Sequence, residues 1–162
     1  MPAFKEIVHE RPDARLLIAG PDDGMLDYIR EYTAKNGLEK QVEILGTVTG
    51  EAKKDLFSRA GIFVLPTYSE GFSLAVLEAL MYGMPAVVSD QTGLSPLLED
   101  YGAAVVTALN ADAYAQGVLK VMNDTGLYHQ LPENGGRLLE EKLEKSRICT
   151  EFNRRVYDKF RS

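Results

Sequence analysis

Cysteine is almost absent from this chain. Cys149 is the only one, so neither an internal disulfide nor a cysteine-rich zinc cluster can form. Histidine is nearly as scarce: His9 and His129 stand far apart, and neither sits in a motif with metal-ligand spacing. No apolar run approaches the ~20 residues that a membrane-spanning helix needs. The opening stretch MPAFKEIVHERPDAR lacks the apolar centre of a secretory signal, which makes a cytoplasmic location the default. An excess of positive charge is also lacking. The net charge is −6, which argues against non-specific nucleic-acid binding. There are no internal repeats and no low-complexity segments.

What remains is a chain of 162 residues, 45% hydrophobic and 26% charged, enough for one soluble domain with a real core. Short apolar runs alternate with helical stretches. Candidate strands are Arg15–Ala19, Val42–Leu45, Ile62–Leu65, Ala86–Ser89 and Ala103–Val106. Their nearly continuous apolar character fits parallel strands covered on both faces. Helices are expected over Leu26–Asn36, Glu51–Arg59, Phe72–Tyr82, Asp112–Met122, Arg137–Lys145 and Arg147–Phe160. Gly83 and Pro85 supply a stop signal for the third of these. Such alternation predicts an α/β fold with a Rossmann-like, doubly wound parallel sheet and helices on both faces.

Sheets of this kind bind ligands beyond the carboxyl ends of their strands. Those ends run into GPDDG (20–24), GTVTG (46–50), PTYSEGFS (66–73) and DQTGLS (90–95), and every one of these loops contains glycine. Glycine alone needs no more than tight turns to explain it. The stretch TYSEGFSLAVLEALMYGMP asks for more. It reads as a helix that is apolar on nearly every side, yet Glu70 precedes it and Glu78 lies within it. A buried carboxylate is costly unless something pairs with it.

A turn opening a helix at SEGFS would present the backbone N–H groups of Gly71, Phe72, Ser73 and Leu74 towards an anion. Gly71 would let that anion approach the main chain. Glu78 would lie roughly 9 Å further along the axis. Carboxylates only accept hydrogen bonds, and neighbouring sugar hydroxyls can donate two, so Glu78 could be satisfied by a ribose without a cation. Taken alone, the pair also fits a Glu70 that merely favours the helix start and a Glu78 that is solvated or meets an arginine.

The stretch PTYSEGFSLAVLEALMYGMPAVVSD resembles the signature of retaining glycosyltransferases of family four, with seven residues between Glu70 and Glu78 and a Gly-x-Pro-x-Val-x-Ser-Asp pattern ending at Asp90. VEILGTVTGEAKKDLFSRAGIFVLP, RPDARLLIAGPDDG and GRLLEEKLEKSRICTEFNRRVYDKF are similar to that family as well. The resemblance implies the C-terminal half of a GT-B fold, which binds the nucleotide-sugar donor. It would place Glu70 at the transferred hexose, as the catalytic contact. Gly71, Phe72, Ser73 and Leu74 would serve the sugar or diphosphate, Glu78 the ribose, and Gly46, Thr47 and Val48 the base. Lys53 would come within reach of the base or ribose, although a solvated lysine is the ordinary reading at that position.

The resemblance further implies a UDP- or GDP-linked donor, no cofactor and no metal. Gly61 stands where the family often has an acid, and Pro96 where a glutamate is frequent. The acidic Gly-Gly loop of a fold-related epimerase and the pyridoxal-binding lysine of a phosphorylase are not evident. Members of the family carry an acceptor-binding N-terminal domain, then a central strand followed by an Arg and a Lys that clamp the diphosphate. MPAFKEIVHE resembles the later half of the helix after that strand. On this reading the chain is a fragment, a split subunit or a degenerate copy, inactive alone. Arg15–Ala19 and Ile62–Leu65 then either pair directly or leave a slot.

A slot would allow a homodimer through the open sheet, or a non-catalytic assembly module. In the tail, Ile148, Phe152, Val156 and Phe160 make an apolar stripe over 147–160, an amphipathic helix expected to pack on the core. Arg154, Arg155, Lys159 and Arg161 could attract an anionic membrane, but Glu151 and Asp158 interrupt them.

Overall fold

Strand and helix alternate as the hydrophobic pattern requires. The computed structural model describes residues 1–142, so the tail helix expected over 147–160 lies outside the described residues, as does the end of the one expected over 137–145. The order is α1 (Pro2–Glu10), β1 (Leu16–Ala19), α2 (Leu26–Lys35), β2 (Val42–Gly46), α3 (Gly50–Arg59), β3 (Phe63–Leu65), α4 (Leu74–Met81), β4 (Ala86–Ser89), α5 (Ser95–Tyr101), β5 (Val105–Thr107), α6 (Ala111–Asn123) and α7 (Thr125–Lys142).

All strand pairs are parallel, and they form two sheets: β1 with β2, and β3–β4–β5. Of the two arrangements expected for β1 and β3, direct pairing is therefore not found. Among the described residues each keeps one edge without a strand partner.

The three-stranded sheet shows why the apolar runs are continuous. Val64, Val87 and Val105 point into one core with Phe4 and Ile7 of α1 and Ala115, Val118 and Leu119 of α6. Phe63, Leu65, Ala86, Val88 and Val106 point into a second core with Leu77 and Leu80 of α4, Leu98 of α5 and Leu138 of α7. Successive residues serve opposite faces, and both faces are covered by helices. Every residue of the central strand β4 is fully buried, whereas Leu16, Leu17, Ile18 and all of β3 are only half-buried.

Three expectations shift. The fifth strand starts at Val105, not Ala103, because Gly102 ends α5 in a left-handed conformation and the Ala103 N–H bonds back to the Leu98 carbonyl at 2.9 Å. The last described helix begins at Thr125, well before Arg137, and runs through Pro132. The helix after SEGFS begins at Leu74, not Phe72. Ser73 is extended at φ −79° and ψ 107°, and its Oγ accepts the Val76 N–H at 3.4 Å, so Ser73 caps the helix instead of belonging to it.

Candidate functional site

Two seams of hydrogen bonds, to main-chain groups from peptide N–H and buried hydroxyl donors, shape the carboxyl ends of the strands. Gly46 closes β2 at φ +66°, and its carbonyl accepts the Gly20 N–H at 2.8 Å. This joins the loop after β1 to the loop that carries Thr47 and Val48. Gly46 and Val48 are half-buried there, and Thr47 is exposed.

The second seam holds the loop between β3 and α4. The Ser89 hydroxyl, fully buried at the end of β4, donates to the Thr67 carbonyl at 2.7 Å. The Glu70 N–H donates to the Gln91 carbonyl at 3.3 Å, and the Gly93 N–H donates to the Glu70 carbonyl at 2.8 Å. The Ser95 hydroxyl donates back to the Ser89 carbonyl at 3.0 Å. Gly93 lies so close that a Cβ on it would stand 2.3 Å from the Gly71 carbonyl oxygen. Only glycine fits there without moving the Gly71 backbone.

The seam presents Gly71 and Phe72 to solvent, with Phe72 53% exposed and Tyr68 beside them 86% exposed. Behind them Ser73 is fully buried as the cap of α4. The Phe72 and Ser73 amides therefore belong to the approach to the helix, not to its first turn. Within that turn the Ser73 hydroxyl takes the Val76 N–H, and the Leu74 and Ala75 N–H groups have no partner within the helix.

The two glutamates differ in their surroundings. Glu70 is half-buried, and among the described residues it forms no ion pair. Glu78 meets a cation, one of the readings the pair alone allowed, but a lysine and not an arginine: its Oε2 lies 2.5 Å from the Lys53 Nζ, with the glutamate side chain 12% exposed and the lysine 35%. Lys53 is correspondingly not a solvated helix lysine. It lies on the first turn of α3, directly after the Gly46–Thr49 loop, so the pair ties that loop to α4. Phe57 of α3 reinforces the contact by stacking on Tyr82 just past α4, with ring centroids 4.7 Å apart and planes 9° apart.

The structure thus joins the loop carrying Gly46, Thr47 and Val48 to α4, which carries Leu74 and Glu78 and follows directly on Gly71, Phe72 and Ser73. Neither the seam through Ser89, Gln91, Gly93 and Ser95 nor the Lys53 partnership was read from sequence. The glycine of TGLSP was the one visible sign of the former.

Elsewhere, Tyr114 of α6 is buried and donates its hydroxyl to the Val87 carbonyl at 2.7 Å, which anchors the helix to β4. Burial pushes its phenol far above the ordinary tyrosine range. Among the described residues no group of three or more His, Cys, Asp or Glu side chains is placed to hold a metal ion. No described helix is long and apolar enough to cross a membrane.

A split parallel sheet with helices on both faces, and Gly-rich loops gathered at its carboxyl ends, defines a Rossmann-like domain of the GT-B kind. The chain aligns over 89% of its length with the C-terminal domain of a group 1 glycosyl transferase, LpcC, from Francisella tularensis, covering 77% of that chain, at TM-score 0.76 and 19% identity. It aligns over 96% with Anabaena HepE solved in complex with UDP, covering 44% of that chain, at TM-score 0.77 and 18% identity. At these identities the likeness shows the fold.

The family follows from the sequence itself. Residues 1–137 match the family described as Glycosyl transferases group 1, and the chain belongs to it. An uncharacterised glycosyltransferase of Methanocaldococcus jannaschii, MJ1607, is 34% identical over 88% of the chain. O-antigen chain mannosyltransferase B of Escherichia coli is 30% identical over 67%. The chain spans 36% and 28% of the lengths of these two relatives.

Proposed function

We propose that this chain is the donor-binding part of a retaining glycosyltransferase of family four. It holds a UDP- or GDP-linked hexose, and the acceptor is held by an N-terminal domain or another chain. The observation that carries this reading is the main-chain seam that sets Glu70, Gly71 and Phe72 at the mouth of a Ser73-capped helix with Glu78 further in. Amides at that mouth suit a diphosphate. Glu70 is the acceptor for hydroxyls of the transferred sugar and Glu78 for those of the ribose. The exposed Thr47 and half-buried Val48 lie on the side of the base.

The chemistry such a site favours is departure of the nucleotide diphosphate, because preorganised amides stabilise the charge that builds on the leaving phosphate. The reading calls on no metal, and transfer needs the acceptor-binding part as well. Calorimetric titration with UDP, GDP and their sugars is the test. Binding of at least one is expected, with Glu78→Gln weakening it by about tenfold, the scale of one charge-assisted hydrogen bond. Silence from all of them overturns the reading.

A second reading, a non-catalytic assembly module, is favoured by one observation: the edges of β1 and β3 that lack strand partners and the half-buried apolar residues along them.

A further inference from the structure

We infer that Lys53 is a positioning residue for the carboxylate of Glu78, and through it sets the preference for a ligand bearing a vicinal diol. The inference rests on the donor-binding reading above and deepens it.

Glu78 projects from the middle of α4, and its side chain is almost enclosed. A glutamate side chain turns about three bonds, so without a partner it has no reason to hold one direction. Lys53 Nζ fixes one oxygen, Oε2. A carboxylate has about four lone-pair sites, so the pair leaves acceptor capacity at Oε1 for two neighbouring hydroxyls. The lysine comes from the first turn of α3, and the Gly46–Thr49 loop leads straight into it. The same contact therefore fixes the spacing between the base side of the site and the helix that faces the phosphates. The stacked Phe57 and Tyr82 rings hold α3 against the end of α4, so the lysine approaches from a supported element. In this arrangement Lys53 touches the glutamate and not the ligand. Its effect should be seen only where the ligand offers Glu78 something to bind.

The experiment titrates the chain calorimetrically with UDP and GDP and with their 2′,3′-dideoxy counterparts. It compares the unaltered protein with Lys53→Met, Lys53→Arg and Glu78→Gln. The unaltered protein should prefer the ribonucleotide by about tenfold, the worth of one well-placed charge-assisted contact. Lys53→Met should lose that preference as fully as Glu78→Gln does, with dideoxynucleotide affinity unchanged. Lys53→Arg, which keeps the cation, should recover most of it. Should Lys53→Met fail to fold, Lys53→Gln, which keeps a polar side chain, takes its place.

Equal losses for ribo- and dideoxynucleotides would overturn the inference, since the lysine would then contact phosphate or base directly or serve only the fold. A ribose preference untouched by Lys53→Met would overturn it too, while leaving the donor-binding reading intact. Silence of the unaltered protein towards every nucleotide would overturn that reading itself and this inference with it.

Discussion

Gly93 and Gly71 meet main chain to main chain, and that contact decides where the site loop lies. Adding one methyl group at residue 93 would drive it to 2.3 Å from a carbonyl oxygen that has no flexible side chain to yield. Gly93→Ala is therefore expected to cost about 1–3 kcal/mol of stability, the usual range for overpacking. It should also weaken nucleotide binding more than its stability loss explains. Chemical denaturation and calorimetry on the same preparation check both. The glutamates were legible because acids stand out in an apolar helix. The glycine contact was not, because a glycine in a turn does not say which distant segment it meets. The Lys53 partnership was hidden for a similar reason: a lysine on a charged helix resembles every other solvated lysine until the fold places α4 beside it.

Elements were legible where local signals and packing agree. β4 is the clearest case, an apolar run bounded by Pro85 and Asp90 whose residues are all buried as the central strand. α7 is the opposite case: Gly126, Pro132, Gly135 and Gly136 all argue locally against a helix, although it spans them. Burial of Leu131, Leu138 and Leu139 outweighs those propensities. Gly135 lets α7 come close to α4: a Cβ there would stand 2.9 Å from Leu80 Cδ2, and the Leu80 side chain would have to shift.

Capping separates two helices that look alike in sequence. α4 is capped by Ser73 beside the site, whereas α6 is capped by Asn110, whose Oδ1 accepts the Ala113 N–H at 2.8 Å. Asn110→Ala should cost about 1 kcal/mol of stability, as lost caps do. Nucleotide affinity should stay unchanged, because Asn110 takes no part in the seams around Glu70 and Glu78. A denaturation curve and one titration suffice to check it.

At the scale of the molecule, the class of fold was legible from the alternation of strands and helices, because both-face burial makes parallel strands read as continuous apolar runs. The division into two sheets was foreseen only as one of two arrangements. Which one holds depends on how the helices seat the strands, and no local pattern states that. Unpaired strand edges are templates for pairing. The assembly reading accordingly expects gel filtration to show a larger species that grows with concentration and a melting temperature that rises with it. A single monomeric peak across a hundredfold dilution would count against it.

The seam around Glu70 is built from peptide groups and buried hydroxyls, while Tyr68 and Phe72 protrude from it into water. Shape and chemistry are thus separated within a handful of residues. Those two protruding side chains carry none of the bonds that hold the loop, so on the donor-binding reading they are where a change of ligand would disturb the scaffold least.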